Sequence, residues 1–169
     1  MFVGGVSFFM HRVLPRSLSD DVLFKKVVEG LEKGLRVALA IVIDKKGSGP
    51  RGVGAKIVVY EDGSYYGTLG GGKFEHMVVN HCLEALKEGR PRVERYTFTG
   101  SKVKEGHDTG LICGGVLTVY IDVLQPPFRA IVVGGGRIGK PLADILNIIG
   151  FKVIVADPDP GIASKENFP

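Results

Sequence analysis

Gly67-Thr68-Leu69-Gly70-Gly71-Gly72-Lys73-Phe74-Glu75 reads as the end of a β-strand, a triple-glycine turn and the opening of a helix. Three successive glycines give up side-chain packing and cost backbone entropy on ordering, so they belong where the chain needs positive φ or close approach to another group. A glycine turn feeding a helix aims free N–H groups and the positive end of the helix dipole at one point. Lys73 adds a full positive charge there. Two readings stand open at this stage. One is a tight strand-to-helix connection with no ligand. The other is an anion seat, suited to phosphate, built from Gly70, Gly71, Gly72 and Lys73.

Working outward, residues 55–60 and 64–69 read as two strands joined through Asp62-Gly63, a hairpin signal. Before them, residues 37–43 form a continuous apolar, β-branched run, which predicts a buried strand. Between lies a loop over residues 44–54, with Lys45-Lys46-Gly47-Ser48-Gly49-Pro50-Arg51-Gly52-Val53-Gly54 dense in glycine and positive charge. Ser19, Asp20 and Asp21 open a first helix. Its apolar positions are Val22, Leu23, Val27, Val28 and Leu31, and Gly34 ends it. After the triple glycine, residues 73–87 predict a helix with the stripe Phe74, Met77, Val78, Cys82, Ala85 and Leu86, stopped by Gly89. Residues 93–97 predict a strand and residues 99–110 a mobile polar loop. Leu111-Ile112-Cys113-Gly114-Gly115 then leads into a strand over 116–123. Gln125-Pro126-Pro127-Phe128 breaks the pattern and marks a domain boundary.

Beyond the boundary, a strand over 130–133 is followed by Gly134-Gly135-Gly136-Arg137-Ile138-Gly139, a helix over 141–149, and a strand over 152–156 ending at Asp157. This is the G-x-G-x-x-G fingerprint in its strand–loop–helix context. Gly134 permits the turn, Gly136 admits a pyrophosphate, and Gly139 lets helix and strand pack closely. Asp157 is placed to accept from ribose hydroxyls, which favours NAD over NADP. These residues are expected to carry at most the adenosine half of a dinucleotide domain. The unit is therefore expected to be completed by a second copy, as a homodimer, or by another polypeptide.

The chain of 169 residues has a net charge of +4 and 44% hydrophobic residues, an ordinary composition able to bury a core. The mild basicity suits a small anionic ligand, and no nucleic-acid module accompanies it. Cys82 and Cys113 lack zinc or disulfide-scaffold spacing, which points to a reducing, cytoplasmic setting. The apolar N-terminus is too short to span a membrane. Arg12 and Arg16 follow the apolar run, the wrong order for a signal peptide, and Met10 is an alternative start. His76 and His81, five apart on a helix, suit no shared ion, and no metal site is expected. His107 and Asp108 either close over a ligand or solvate their loop. Cys82, on the apolar stripe, reads as inert core.

The three clusters at residues 47–56, 67–75 and 110–115, in this order and followed by the Rossmann-type segment, resemble the XdhC/CoxI family, accessory proteins of molybdenum hydroxylases such as xanthine dehydrogenase and carbon monoxide dehydrogenase. The family pattern is similar to G-S-x-P-R-x-x-G-A-[KR], G-x-[IL]-G-G-G-x-x-E and G-M-x-C-G-G, with Leu111 here in place of the methionine. The resemblance covers roughly residues 35–157. It implies an α/β chain: an N-terminal extension over 1–16, a mixed α+β XdhC/CoxI-like domain over 17–125, a linker over 126–128, and an incomplete Rossmann-like β-α-β unit over 129–169. It also implies an accessory factor that binds molybdenum cofactor of the molybdopterin type, assists its sulfuration with a cysteine desulfurase, and inserts it into the apo-hydroxylase. Arg51, Lys73 and the Gly70, Gly71 and Gly72 amides would take the cofactor phosphate, with Gly114 beside them. Cys113 and Glu75 would be the catalytic pair, with a thiolate favoured near Arg51 or Lys73. The alternative is an NAD(P)-dependent oxidoreductase using Gly134, Gly136, Gly139 and Asp157.

Overall fold

The computed structural model describes residues 19–99 and 106–168, together with the backbone of two short paired strands ahead of them, β1 (Phe2–Val3) and β2 (Val6–Ser7). Then follow α1 (Asp20–Glu32), β3 (Val37–Lys46), β4 (Lys56–Tyr60), β5 (Tyr65–Gly67), α2 (Gly72–Glu88), β6 (Arg92–Thr99), β7 (His107–Asp108) and β8 (Ile112–Leu124). A second unit comprises β9 (Arg129–Val133), α3 (Gly139–Ile148) and β10 (Lys152–Ala156). The fold class is mixed α/β. No helix among the described residues is long and apolar enough to cross a membrane.

The apolar run in β3 is explained by burial on both faces. Ala38, Ala40 and Val42 point to one side, where Phe74, Val78, Cys82 and Leu86 of α2 pack. Val37 and Leu39 point to the other, against Leu23 and Val27 of α1. Period-two alternation thus serves two helices at once, and no residue of that stretch can be polar. Phe74 stands edge-on to Tyr96 and Phe98, each at 5.1 Å between ring centroids, an arrangement that suits their quadrupoles.

The six-stranded sheet has the order β5-β4-β3-β8-β6-β7. The β3, β4, β5 and β8 neighbours are antiparallel, as are β6 and β8, while β7 runs parallel to β6. The C-terminal ends of β3, β5, β6 and β7 and the N-terminal ends of β4 and β8 therefore share one edge. All three glycine clusters leave or enter the sheet there. Asp62-Gly63 forms the expected β4–β5 turn: Gly63 has φ +86° and the Asp62 carboxylate accepts from the Ser64 N–H at 2.9 Å.

Three expectations need correction. β3 runs on to Lys46 through a register shift between Val42 and Asp44, so residues 44–46 are strand rather than loop. β8 begins at Ile112 rather than at residue 116, so the backbone of Cys113, Gly114 and Gly115 belongs to the strand. Within the segment read as a mobile loop, residues 100–105 lie outside the described residues, while His107 and Asp108 pair with Tyr96 and Thr97.

In the second unit, β9 and β10 pair in parallel from Arg129↔Lys152 to Val133↔Ala156. Ile131, Val133, Ile138, Ile145, Ile148 and Ile154 remain exposed. Cys82, wholly buried against the sheet, has its thiol pushed up to about 12 by desolvation. Its thiolate fraction at pH 8 is then about one part in ten thousand. In a Cys113→Ala background, a chromogenic disulfide reagent at pH 8 should titrate no thiol in the native protein and one in urea. A fast-reacting native thiol in that variant would contradict the burial.

Candidate functional site

The three glycine loops touch. A Cβ added to Gly70, which has φ +127°, would lie 2.3 Å from Pro50 Cβ, so the triple glycine packs directly on the Arg51 loop. A Cβ on Gly115 would lie 1.8 Å from the Ser48 carbonyl oxygen, and one on Gly47 2.7 Å from the Gly114 carbonyl oxygen. The Arg51 loop is therefore seated on the start of β8 as well. Lys73 Nζ reaches the Gly110 backbone, 3.2 Å from where a Cβ would stand. The sequence places these clusters far apart, and the shared sheet edge brings them into one mouth.

The Arg51 loop is stapled by two lysines. Lys45 Nζ donates to the Gly49 carbonyl at 3.0 Å, and Lys56 Nζ donates to the Gly54 carbonyl at 2.9 Å and to Asp20 at 2.8 Å. Arg51 and Lys73 are exposed and, among the described residues, their side chains make no hydrogen bond or ion pair. Their charges are available at the mouth. A shallow cavity of roughly 110 Å³ opens beside Arg51, lined also by Lys56, Gly67, Thr68 and the Asp20 that Lys56 pairs with.

Glu75 turns back from the first turn of α2 beneath the glycine turn. Its Oε2 accepts from the Thr68 hydroxyl at 2.6 Å, the Leu69 N–H at 2.9 Å and the Gly71 N–H at 3.1 Å. Thr68 Oγ1 in turn accepts from the Gly70 N–H at 3.1 Å. The expectation that the Gly70 and Gly71 amides point at an anion is corrected by these bonds, because both donors are used inside the turn. What remains for an anion is the start of the helix. The N-cap Gly71 has no side chain to offer, so the first-turn N–H groups beginning at Gly72 and Lys73 carry no side-chain cap.

The side chain of Cys113 lies outside what the structure describes, and its backbone opens β8 next to Gly114 and Gly115. No atom lies within 4 Å of a Cβ built on Gly114, whose φ is +73°, so that position borders open space. Asp108 does not cover the mouth. Its Oδ1 accepts from the Gly110 N–H at 3.1 Å, turning the chain toward β8. His107 faces Glu94, with Nε2 to Oε2 at 2.9 Å, and its ring lies 4.3 Å from that of His81. That grouping spans three elements and carries no local spacing signal. A search within one helix, which compares His81 with His76, misses it.

Close backbone packing sets the geometry of the second glycine loop. A Cβ on Gly139 would fall 1.7 Å from the Gly134 carbonyl oxygen, so only glycine lets α3 start this close to β9. Gly134 has φ +91°, and Gly136 borders open space. Asp157 is engaged inside the protein: Oδ1 accepts from the Asp159 N–H at 2.9 Å and Oδ2 from the Gly135 N–H at 2.8 Å. These two bonds hold its carboxyl below the usual aspartate range. Gly134, Gly136, Arg137, Ile138 and Leu142 line an open cavity of roughly 480 Å³.

Residues 31–97 match the model of the XdhC and CoxI family. Over 148 residues the chain is 34% identical to YqeB of Escherichia coli (strain K12), described as uncharacterized, across 87% of this chain and 26% of that protein. Over 139 residues it is 30% identical to the molybdenum cofactor insertion chaperone PaoD of the same organism, across 81% of this chain and 39% of that protein. The chain thus spans well under half the length of these relatives. A solved chain from Bacillus halodurans, described as a xanthine dehydrogenase, aligns over 85% of this chain and 65% of its own length, at 19% identity and a TM-score of 0.44.

Proposed function

We propose, starting from this chain's membership of the XdhC and CoxI family, that it handles molybdenum cofactor on the way to insertion into a molybdenum hydroxylase apoenzyme. The observation that carries this reading is the contact of the three glycine loops at one sheet edge, with the Arg51 and Lys73 charges left unengaged there among the described residues. Molybdopterin ends in a phosphate. Arg51 and Lys73 would hold it by charge-assisted hydrogen bonds, helped by the start of α2 at Gly72. Gly70 and Gly71 shape the turn, and Gly114 leaves room for the rest of the cofactor. The cavity of roughly 110 Å³ beside Arg51 is well below the about 300 Å³ at which pockets begin to enclose a small molecule. A site this shallow would leave the pterin accessible, which suits a carrier that must release its cargo. Sulfuration, with Cys113 receiving sulfur from a cysteine desulfurase and Glu75 beside the turn, belongs to the same reading, as does a cytoplasmic setting.

A second reading is supported by the second unit: Gly134, Gly136, Gly139 and Asp157 would bind the adenosine half of NAD, with further structure covering the exposed Ile131, Val133 and Ile154. One titration addresses both. Purified molybdenum cofactor should bind the wild type and bind Arg51→Ala and Lys73→Ala each about tenfold more weakly, the scale of one charge-assisted contact. Equal affinity in all three, or no binding, would reject the first reading. NAD added in its place, binding in a manner weakened by Asp157→Ala, would favour the second.

A further inference from the structure

We infer that His81, Glu94 and His107 form a binding site for a divalent transition metal, with zinc the ion best matched to two imidazoles and a carboxylate. The three side chains come from α2, β6 and β7, and one ligand atom from each lies within 4.8 Å of the other two. Tetrahedral bonds of about 2.0–2.1 Å place ligand atoms about 3.4 Å apart, so an ion needs side-chain shifts of about 1 Å. Glu94 and His107 are already at 2.9 Å. One nitrogen of His81 is 2.6 Å from the hydroxyl of the wholly buried Tyr96, which pins the ring and leaves its other nitrogen for the ion. Glu94 and His107 remain partly exposed, at 19% and 38%, so an ion and a completing water can enter.

Glu94 and His107 form a hydrogen-bonded pair, and Tyr96 holds His81 in place beside them. Among the described residues no hydrogen bond joins His81 to Glu94 or His107, although its ring lies 4.3 Å from that of His107. An ion shared by all three would link groups that the fold already brings together. The neighbouring cation Arg92 is 3.8 Å from Glu94 but is held by Glu84 and Glu88, so its charge is offset locally. The site also has a structural consequence. β7 is two residues long and hangs on β6 at the sheet edge, and the chain leaves it through Thr109, Gly110 and Leu111 into β8 and Cys113. An ion tethers that edge to α2 and fixes the approach to the third glycine loop.

The test uses the full chain stripped of metal and titrated with Co²⁺, followed by displacement with Zn²⁺. One Co²⁺ per chain is expected, with the intense visible spectrum of a four- or five-coordinate ion and no thiolate charge-transfer band. His107→Gln and Glu94→Gln should each weaken Co²⁺ binding by at least about tenfold, while His76→Gln should not. Both variants alter partly exposed side chains, and their metal-free circular dichroism should match the wild type. The proposal is overturned by a weak six-coordinate spectrum, by a thiolate band that brings Cys113 into the site, by loss of binding in His76→Gln, or by unchanged affinity in His107→Gln and Glu94→Gln.

Discussion

Glu75→Ala should lower the unfolding free energy by about 3 kcal/mol, read from urea denaturation. The oxygen it removes accepts from Thr68, Leu69 and Gly71. A hydrogen bond to a charged acceptor contributes about 1.5–3 kcal/mol, and a buried donor left without a partner costs about 1–3 kcal/mol. The Leu69 bond is fully buried, so water cannot replace it, whereas water reaches the partly buried Thr68 and Gly71 groups. The three losses therefore do not add in full. The substitution also removes a negative charge from the first turn of α2, which favours one. Glu75→Gln keeps an acceptor and should cost about half as much. A loss below about 1 kcal/mol in Glu75→Ala would mean that the glycine turn holds itself. The glutamine variant also separates two roles. If it retains stability and cofactor affinity but loses the sulfuration proposed above, the carboxylate takes part in proton movement as well as in holding the turn.

Gly115→Ala should have the largest effect of any glycine substitution at the three-loop mouth on both stability and cofactor affinity. Its Cβ would stand 1.8 Å from the Ser48 oxygen and 2.9 Å from the Lys46 oxygen, both main-chain atoms that no rotamer change can clear. The end of β3 and the start of β8 must part, and the Arg51 loop moves with them. Overpacking of this kind costs about 1–3 kcal/mol, here toward the upper end, and molybdenum cofactor affinity should fall at least tenfold, about 1.4 kcal/mol. Two neighbours calibrate the result. Gly52→Ala meets no atom within 4 Å and has no positive φ, so it should be neutral. Gly114→Ala meets open space but sits at φ +73°, so it should cost about 1 kcal/mol from backbone strain alone. If Gly115→Ala unfolds and binds like Gly52→Ala, the seating of the Arg51 loop on β8 is wrong.

Much of the fold was legible because the signals are local. The unbroken apolar run of β3 announces a strand covered on both faces. The stripe on α2 from Phe74 to Leu86 announces its buried side, and Asp62-Gly63 announces the hairpin. The three loops were legible as motifs, and their assembly at one edge follows once the antiparallel order of β3, β4, β5 and β8 is known. Strand limits were less legible: Lys45 and Lys46 look like loop residues, yet they pair with Leu117 and Val116 because the bulge near Val42 carries the ladder onward.

By itself the sequence determined the long helices and strands, the buried central strand and the places where glycine is required, though not the two-residue β7. Period and turn preference act over a few residues and need no partner to be read. Only the tertiary structure decided how Glu75 is used. A first-turn acid looks the same in sequence whether it faces a ligand or turns back under its own glycines, and the Leu69 and Gly71 donors that claim it are set by the path of the turn. The same holds for His81, Glu94 and His107, which stand 13 residues apart at each step and meet because α2 lies over the edge where β6 and β7 pair. The opening glycine turn is thus an anionic clasp closed from within, and the positive charge available to a ligand sits just outside it, on Arg51 and Lys73.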